Sequence, residues 1–161
     1  PFRVRLIGPF ETDAYEQDMR ELAAQLGVAE RLEWVGYTAQ VQAELQAMDL
    51  FVLPSLFGEG MPMVILEAMA TGVPVVASEV EGIPEIIRHE RDGLLVPAGD
   101  PAALASALAT LVGDAQRRGQ FGRDARQRQI ERYSDVAMAR AVAQVYDRVL
   151  GHAAQLETLA S

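Results

Sequence analysis

Cysteine is absent from the 161-residue chain and so is lysine, since all 14 basic residues are arginine. Without thiols there is no disulfide, no thiolate zinc site and no thiol nucleophile. Without lysine there is no P-loop, whose phosphate grip requires that side chain, and no pyridoxal Schiff base. Imidazole is scarce as well. His89 and His152 are the two histidines, too few for a histidine metal cluster. The net charge of −9 at pH 7 argues against nucleic acid as a partner, because a phosphate-tracking surface needs concentrated positive charge. No apolar run reaches the roughly 20 residues that span a bilayer, and no signal-peptide pattern is present. A cytoplasmic protein is expected, with the inner face of a membrane as its only membrane contact.

What remains is ordinary globular material. Half of the residues are apolar, and 13 glycines and 8 prolines punctuate the chain. One domain over 1–150 with a weakly patterned tail over 151–161 is expected. The chain opens on Pro1 and a strand-like run starts within a residue or two, so a piece of a longer polypeptide is expected.

Strand and helix signals alternate with short connections. Strands are expected at 3–7, 31–35, 49–53, 73–77 and 93–96. Between the first two, Tyr15, Met19, Leu22, Ala23 and Leu26 mark one face of a helix. Asp13 and Glu16 suggest a capping box at its start, and Gly27 a stop. Thr38 can cap a helix facing inward through Val41, Leu45 and Met48. A helix over 62–71 has proline at its first turn and Gly72 after its end, and a short one lies around 84–88. Asp100-Pro101 opens another, with Leu104, Ala107, Leu108 and Leu111 on one side. The segment 114–132 is charged and arginine-rich, which reads as a solvated face or, failing that, an anionic-membrane or domain contact. Ser134 caps a last helix expected to turn Met138, Val142, Val145, Tyr146 and Val149 inward. Regular βα alternation implies an α/β fold with a doubly wound, Rossmann-like parallel sheet.

Ligands of such sheets bind outside the carboxyl ends of the strands. The most informative loop there runs from Pro54 to Met63 and enters a helix, whose free amides and positive dipole end form an anion site without lysine. Glu59 stands just before this helix and Glu67 inside it. Read alone, Glu59 favours the dipole and Glu67 is solvated. Read together, both accept hydrogen bonds from hydroxyls of one ligand around a phosphate held by the amides. Phe10, Phe57, Met61 and Met63 are either core or the rim of a cleft, and His89 and Arg91 belong to a polar turn.

The segment EGMPMVILEAMATGVPVVAS resembles the E-x7-E segment of the group 1 (family 4) glycosyltransferases, two-domain GT-B enzymes that are usually retaining. LGVAERLEWVGY, DLFVLPS, EGIPEII and DGLLVPAGDP resemble its flanking segments, in order, over about residues 4–150. The resemblance covers the C-terminal, donor-binding half and implies an absent N-terminal acceptor domain as a partner. It implies that Glu59 binds hydroxyls of the donor sugar and orients it, and that Glu67 binds the ribose. Amides around Gly60, Met61, Met63 and Val64 would face the diphosphate and the sugar. Gly36, Tyr37 and Thr38 lie where the family holds the base, and Gly8 near the diphosphate. A UDP-, GDP- or ADP-sugar is the implied partner, with no cofactor and no metal. Three departures stand out: Pro62 where many relatives carry a second glycine, Gly8-Pro9-Phe10 in place of a doubled glycine, and no counterpart of the family's phosphate-binding Arg and Lys.

Rival readings differ in specific ways. A glycoside hydrolase also uses two carboxylates, but eight helical residues rise roughly 12 Å, beyond the ~5–9.5 Å its pairs require. A dinucleotide-binding oxidoreductase would show G-x-G-x-x-G after the first strand, which is not there. A non-catalytic nucleotide- or sugar-binding module that kept the fold is the alternative from a different class.

Overall fold

The computed structural model describes residues 2–159, with side-chain surroundings for residues 2–150. It divides into two compact units, residues 1–41 and 42–161. The parallel strands, expected as one sheet, are hydrogen-bonded as two ladders, β1–β2 and β3–β4–β5.

In the first unit, β1 (Val4–Ile7) leads to α1 (Asp13–Gln25), a 3₁₀ turn at Ala29–Arg31 and β2 (Leu32–Gly36). Val4, Arg5 and Leu6 pair with Leu32, Glu33 and Trp34, and the register then slips so that Ile7 faces Gly36. The cap of α1 differs from the expected one by a residue. Thr12, in extended backbone, accepts from the Tyr15 amide through its hydroxyl at 3.1 Å. Asp13 is already helical, and Glu16 pairs with Arg20 at 2.7 Å instead of reaching back to the cap. Of the expected apolar face of α1, Ala23 is buried while Tyr15, Leu22 and Leu26 are exposed.

The second unit contains α2 from its second residue onward (Val41–Gln46), β3 (Phe51–Leu53), α3 (Met63–Thr71), β4 (Val75–Ser78), α4 (Ile83–Ile86) and β5 (Leu94–Val96). It continues with α5 (Pro101–Gly113), α6 (Ala115–Arg132) and α7 (Asp135–Leu159). β4 is the central strand of its ladder, paired with β3 on one side and β5 on the other, and all four of its residues are buried. A strand covered on both faces must be apolar throughout, and VVAS nearly is. Val76, Leu94 and Val96 pack with Leu111 of α5 and Phe121 of α6. Each such side chain contributes about 1.5–3 kcal/mol when fully buried.

The helix ends follow their side-chain oxygens. Asp100 accepts from the Ala102 and Ala103 amides at 3.0 and 2.9 Å, Asp114 from the Arg117 amide at 2.8 Å, and Ser134 from the Ala137 amide at 3.1 Å. Gly72 closes α3 at φ +77°, a left-handed conformation that suits glycine. α6 runs close against that end. A β-carbon on Gly122 would stand 2.1 Å from the Gly72 carbonyl oxygen.

Two expectations change here. The arginines of α6 are not all solvated, because two of them are committed to main-chain carbonyls. Arg118 donates to the Leu111 and Val112 oxygens, and Arg128 to those of Glu85 and Ile86 at 2.7 Å. Arg128 is also 3.9 Å from the fully buried Asp92, whose carboxylate takes the Arg88 side chain and amide. The apolar stripe of α7 is the second change. Met138, Val142, Val145, Tyr146 and Val149 are exposed rather than turned inward. Helical periodicity marks an apolar face but does not say what covers it, and among the described residues nothing does. The tail expected over 151–161 continues α7 as far as Leu159, and Pro1, Ala160 and Ser161 lie outside the described residues. Among the described residues, no helix is long and apolar enough to cross a membrane.

Candidate functional site

The loop between β3 and α3 carries the acidic pair. Glu59 is half-buried, and its carboxylate accepts from the Ser55 hydroxyl at 2.6 Å. Pro62 caps α3 in extended backbone and provides no side-chain acceptor, so Met63 and Val64 occupy the first turn. The backbone amides of Gly60, Met61, Met63 and Val64 meet no protein acceptor among the described residues. Such amides at a helix start, with the positive end of the dipole behind them, attract an anion. Proline at 62 removes one amide from the set while fixing the entry angle of the helix. Glu67 is exposed, on a helix whose Ile65, Leu66, Ala68 and Met69 are buried. Met61 and Met63 are 58 % and 62 % exposed and Phe57 79 %, which decides against a core role for these three.

Because Glu59 lies in the loop ahead of Met63, the rise of a helix does not measure its separation from Glu67. Helical rise therefore does not exclude a carboxylate pair of the hydrolase type. The amide cluster suits an anion, a feature that hydrolysis by two carboxylates does not call for.

The loop leans on a second loop of the same unit, the one after β4 in which the EGIPEII segment begins. The Gly58 amide donates to the Glu81 carboxylate at 3.1 Å, and the Gly82 amide to the Glu59 carbonyl at 3.1 Å. No role was expected of Ser55. Its only local signal is a hydroxyl one helical turn before an acidic residue.

Gly8, Gly36, Tyr37 and Thr38 belong to the first unit, at the carboxyl ends of β1 and β2. Gly8 and Gly36 are brought together, the Gly8 amide donating to the Gly36 carbonyl at 2.9 Å. Both have positive φ, +129° and +71°. Tyr37 is 81 % exposed, and the Thr38 hydroxyl accepts from the Gln40 amide at 3.0 Å, a local turn rather than a cap of α2. An open cavity of about 510 Å³ lies beside the glycines, with Phe10, Tyr15 and Trp34 in its lining. Phe10 is part of an aromatic cluster, its ring 5.4 Å from that of Trp34 and 6.0 Å from that of Tyr15. His89 is structural, its Nδ1 accepting from the Leu95 amide at 3.0 Å.

The family model described as glycosyl transferases group 1 matches residues 1–114. The lipopolysaccharide core biosynthesis mannosyltransferase LpsB of Rhizobium meliloti is 34 % identical over 85 % of this chain and 39 % of its own length. The D-inositol 3-phosphate glycosyltransferase of Corynebacterium efficiens is 38 % identical over 73 % of this chain and 28 % of its own. Among solved structures, Anabaena HepE in complex with UDP superposes with a TM-score of 0.85 at 26 % identity, covering 91 % of this chain and 41 % of HepE. HepE in complex with UDP-glucose gives 0.82 over the same shares. The chain thus spans well under half the length of each relative. The Rossmann-like α/β class and the place of this chain in a GT-B fold, expected from the sequence, accord with these matches.

Proposed function

This chain belongs to the group 1 glycosyl transferases, and on that premise we propose that it is the nucleotide-sugar-binding part of a retaining glycosyltransferase. The observation that carries the proposal is the set of amides at Gly60, Met61, Met63 and Val64, without protein acceptors among the described residues and bracketed by Glu59 and Glu67. Amides and helix dipole take the diphosphate, which needs neither lysine nor metal. Glu59 takes hydroxyls of the sugar and orients it, and Glu67 takes those of the ribose. Gly36, Tyr37 and Thr38 receive the base, and Gly8 the diphosphate end. During transfer, the leaving diphosphate gains negative charge, and donors already aimed at it stabilise that charge without reorganising.

Three observations support the nucleotide as ligand: the amide cluster, the acidic pair and the likeness to a protein solved with UDP and with UDP-glucose. Acceptor recognition and the remaining phosphate contacts are assigned to sequence outside this chain, which accounts for 39 % of LpsB and 41 % of HepE. Polysaccharide or lipid-linked glycan synthesis at the cytoplasmic face of a membrane is the setting we propose. Group transfer gains ~7–11 kcal/mol from holding donor and acceptor in register, and one wall of a cleft does not hold both.

Calorimetric titration of the chain with UDP-, GDP- and ADP-sugars tests the proposal. Binding is expected with a Kd of about 0.1–1 mM, near −4 to −5.5 kcal/mol, and no sugar transfer to added acceptors by mass spectrometry. No binding of any of them at millimolar concentration overturns the donor reading and leaves a non-catalytic module that kept the fold. Sustained turnover would show that this chain carries its own acceptor site.

A further inference from the structure

Glu81 is one of two non-glycine residues in the described chain with positive φ, at +43°. Left-handed backbone is costly for a residue with a β-carbon and persists where the surroundings impose it. Here it accompanies contacts to three successive residues of the neighbouring loop. The Glu81 carboxylate takes the Gly58 amide at 3.1 Å. The Gly82 amide donates to the Glu59 carbonyl at 3.1 Å. The Gly82 α-carbon lies so close to Gly60 that a β-carbon there would stand 1.7 Å from the Gly60 carbonyl oxygen.

The support behind this contact is firm. Gly82 leads directly into α4, where Ile83 and Ile86 are buried. At the far end of α4, Arg128 donates to the Glu85 and Ile86 carbonyls, and the Tyr133 hydroxyl to that of Glu85 at 2.9 Å. The single turn is therefore fixed at one end by α6 and presents Glu81 and Gly82 to the acidic loop at the other.

We propose that Glu81 and Gly82 are positioning residues that set the backbone of Gly58, Glu59 and Gly60, and through it the aim of the Glu59 carboxylate and the following amides. This rests on the donor reading of that loop for its functional half. The mechanism is preorganisation: the loop is ordered before a ligand arrives, so binding does not bear the cost of ordering it. Gly82 admits the approach because it lacks a side chain, and Glu81 pins Gly58 because it keeps an acceptor. Neither touches the ligand in this account.

The test uses the whole 161-residue chain and variants that separate acceptor from backbone conformation. Glu81→Gln keeps an oxygen for the Gly58 amide. Glu81→Ala removes it and keeps the strained β-carbon. Glu81→Gly removes it and relieves the backbone. Amide hydrogen exchange at Gly58, read by NMR without ligand, should quicken about tenfold in Glu81→Ala and Glu81→Gly and stay within about twofold in Glu81→Gln, as expected when a local bond is opened. With UDP-glucose as the probe, the alanine and glycine variants should bind about three- to tenfold more weakly, with UDP itself less affected, and glutamine should restore affinity.

Unchanged exchange at Gly58 in Glu81→Ala overturns the brace. Quickened exchange with unchanged UDP-glucose affinity overturns its functional half. If the wild-type chain binds no nucleotide sugar while Gly58 responds as expected, the donor reading fails and the brace stands as a device of the loop alone. Thermal melts of all three variants identify any loss from global unfolding, and Glu81→Gly, which removes strain, guards against it.

Discussion

The two units carry their candidate loops on different supports. In residues 42–161 the acidic loop leaves β3, whose partner β4 is buried along its length, and enters α3, which buries four of its nine residues. In residues 1–41 the loops after β1 and β2 rise from a two-stranded ladder in which Val4, Leu6 and Ile7 are exposed, and α1 buries Ala23. Gly8 and Gly36 are joined by one main-chain bond, whereas the segment 58–60 is met by Glu81, Gly82 and Ser55. A loop on a saturated core can be held in one shape before its ligand arrives. A loop on a thin ladder keeps more freedom, and its ligand contacts cost more ordering.

The largest effect should come from cutting into the second core. Ile65 is fully buried on α3, so Ile65→Ala should lower stability by about 2–5 kcal/mol through lost transfer energy and the cavity left behind. Leu22 on α1 is 44 % exposed, and Leu22→Ala should cost less than about 1.5 kcal/mol. Urea unfolding followed by circular dichroism gives both values, and equal losses would break the contrast.

A middle-sized effect is expected at Arg128, a side chain 14 % exposed. Arg128→Ala leaves the Ile86 carbonyl without its side-chain donor and that of Glu85 with Tyr133 alone, and takes a cation from beside Asp92, a loss of about 1–3 kcal/mol. The same urea experiment measures it. A loss below about 0.5 kcal/mol would mean that α4 is held by its isoleucines and not by α6.

The smallest effect belongs to the first unit. Arg5 and Glu33 face each other across β1 and β2 at 3.2 Å, with side chains 32 % and 55 % exposed. Glu33→Ala should cost no more than about 1 kcal/mol, and the difference should shrink at 1 M salt, where the screening length falls to about 3 Å. A larger, salt-insensitive loss would show that the thin ladder is tied more firmly than its exposure suggests.

What the sequence made legible was local or periodic. Asp100, Asp114 and Ser134 each stand two or three residues before the amides they cap, so the starts of α5, α6 and α7 can be read directly. VVAS reads as a covered strand because four consecutive positions avoid charge. The acidic loop was found because two glycines, a proline and two glutamates fall within one short segment. What was not legible depends on residues far apart in the chain. Arg128 meets a carbonyl 42 positions away, and the fit of Gly82 onto Gly60 joins loops with α3 and β4 between them. The stripe of α7 carries the period of a buried face yet is exposed, since periodicity does not name a partner. The cap of α1 moved to Thr12 because backbone conformation, and not residue type alone, decides which oxygen points at the free amides.

The central claim is that Glu59 and Glu67 divide the donor between them, sugar to one and ribose to the other. Parallel calorimetric titrations of wild type, Glu59→Gln and Glu67→Gln with UDP and UDP-glucose test it most directly, with another nucleotide pair substituted if the screen selects a different base. Glu67→Gln should weaken both ligands by about 1–3 kcal/mol, because both carry the ribose. Glu59→Gln should weaken UDP-glucose by a similar amount and leave UDP unchanged. Equal losses for UDP and UDP-glucose in Glu59→Gln would contradict the division.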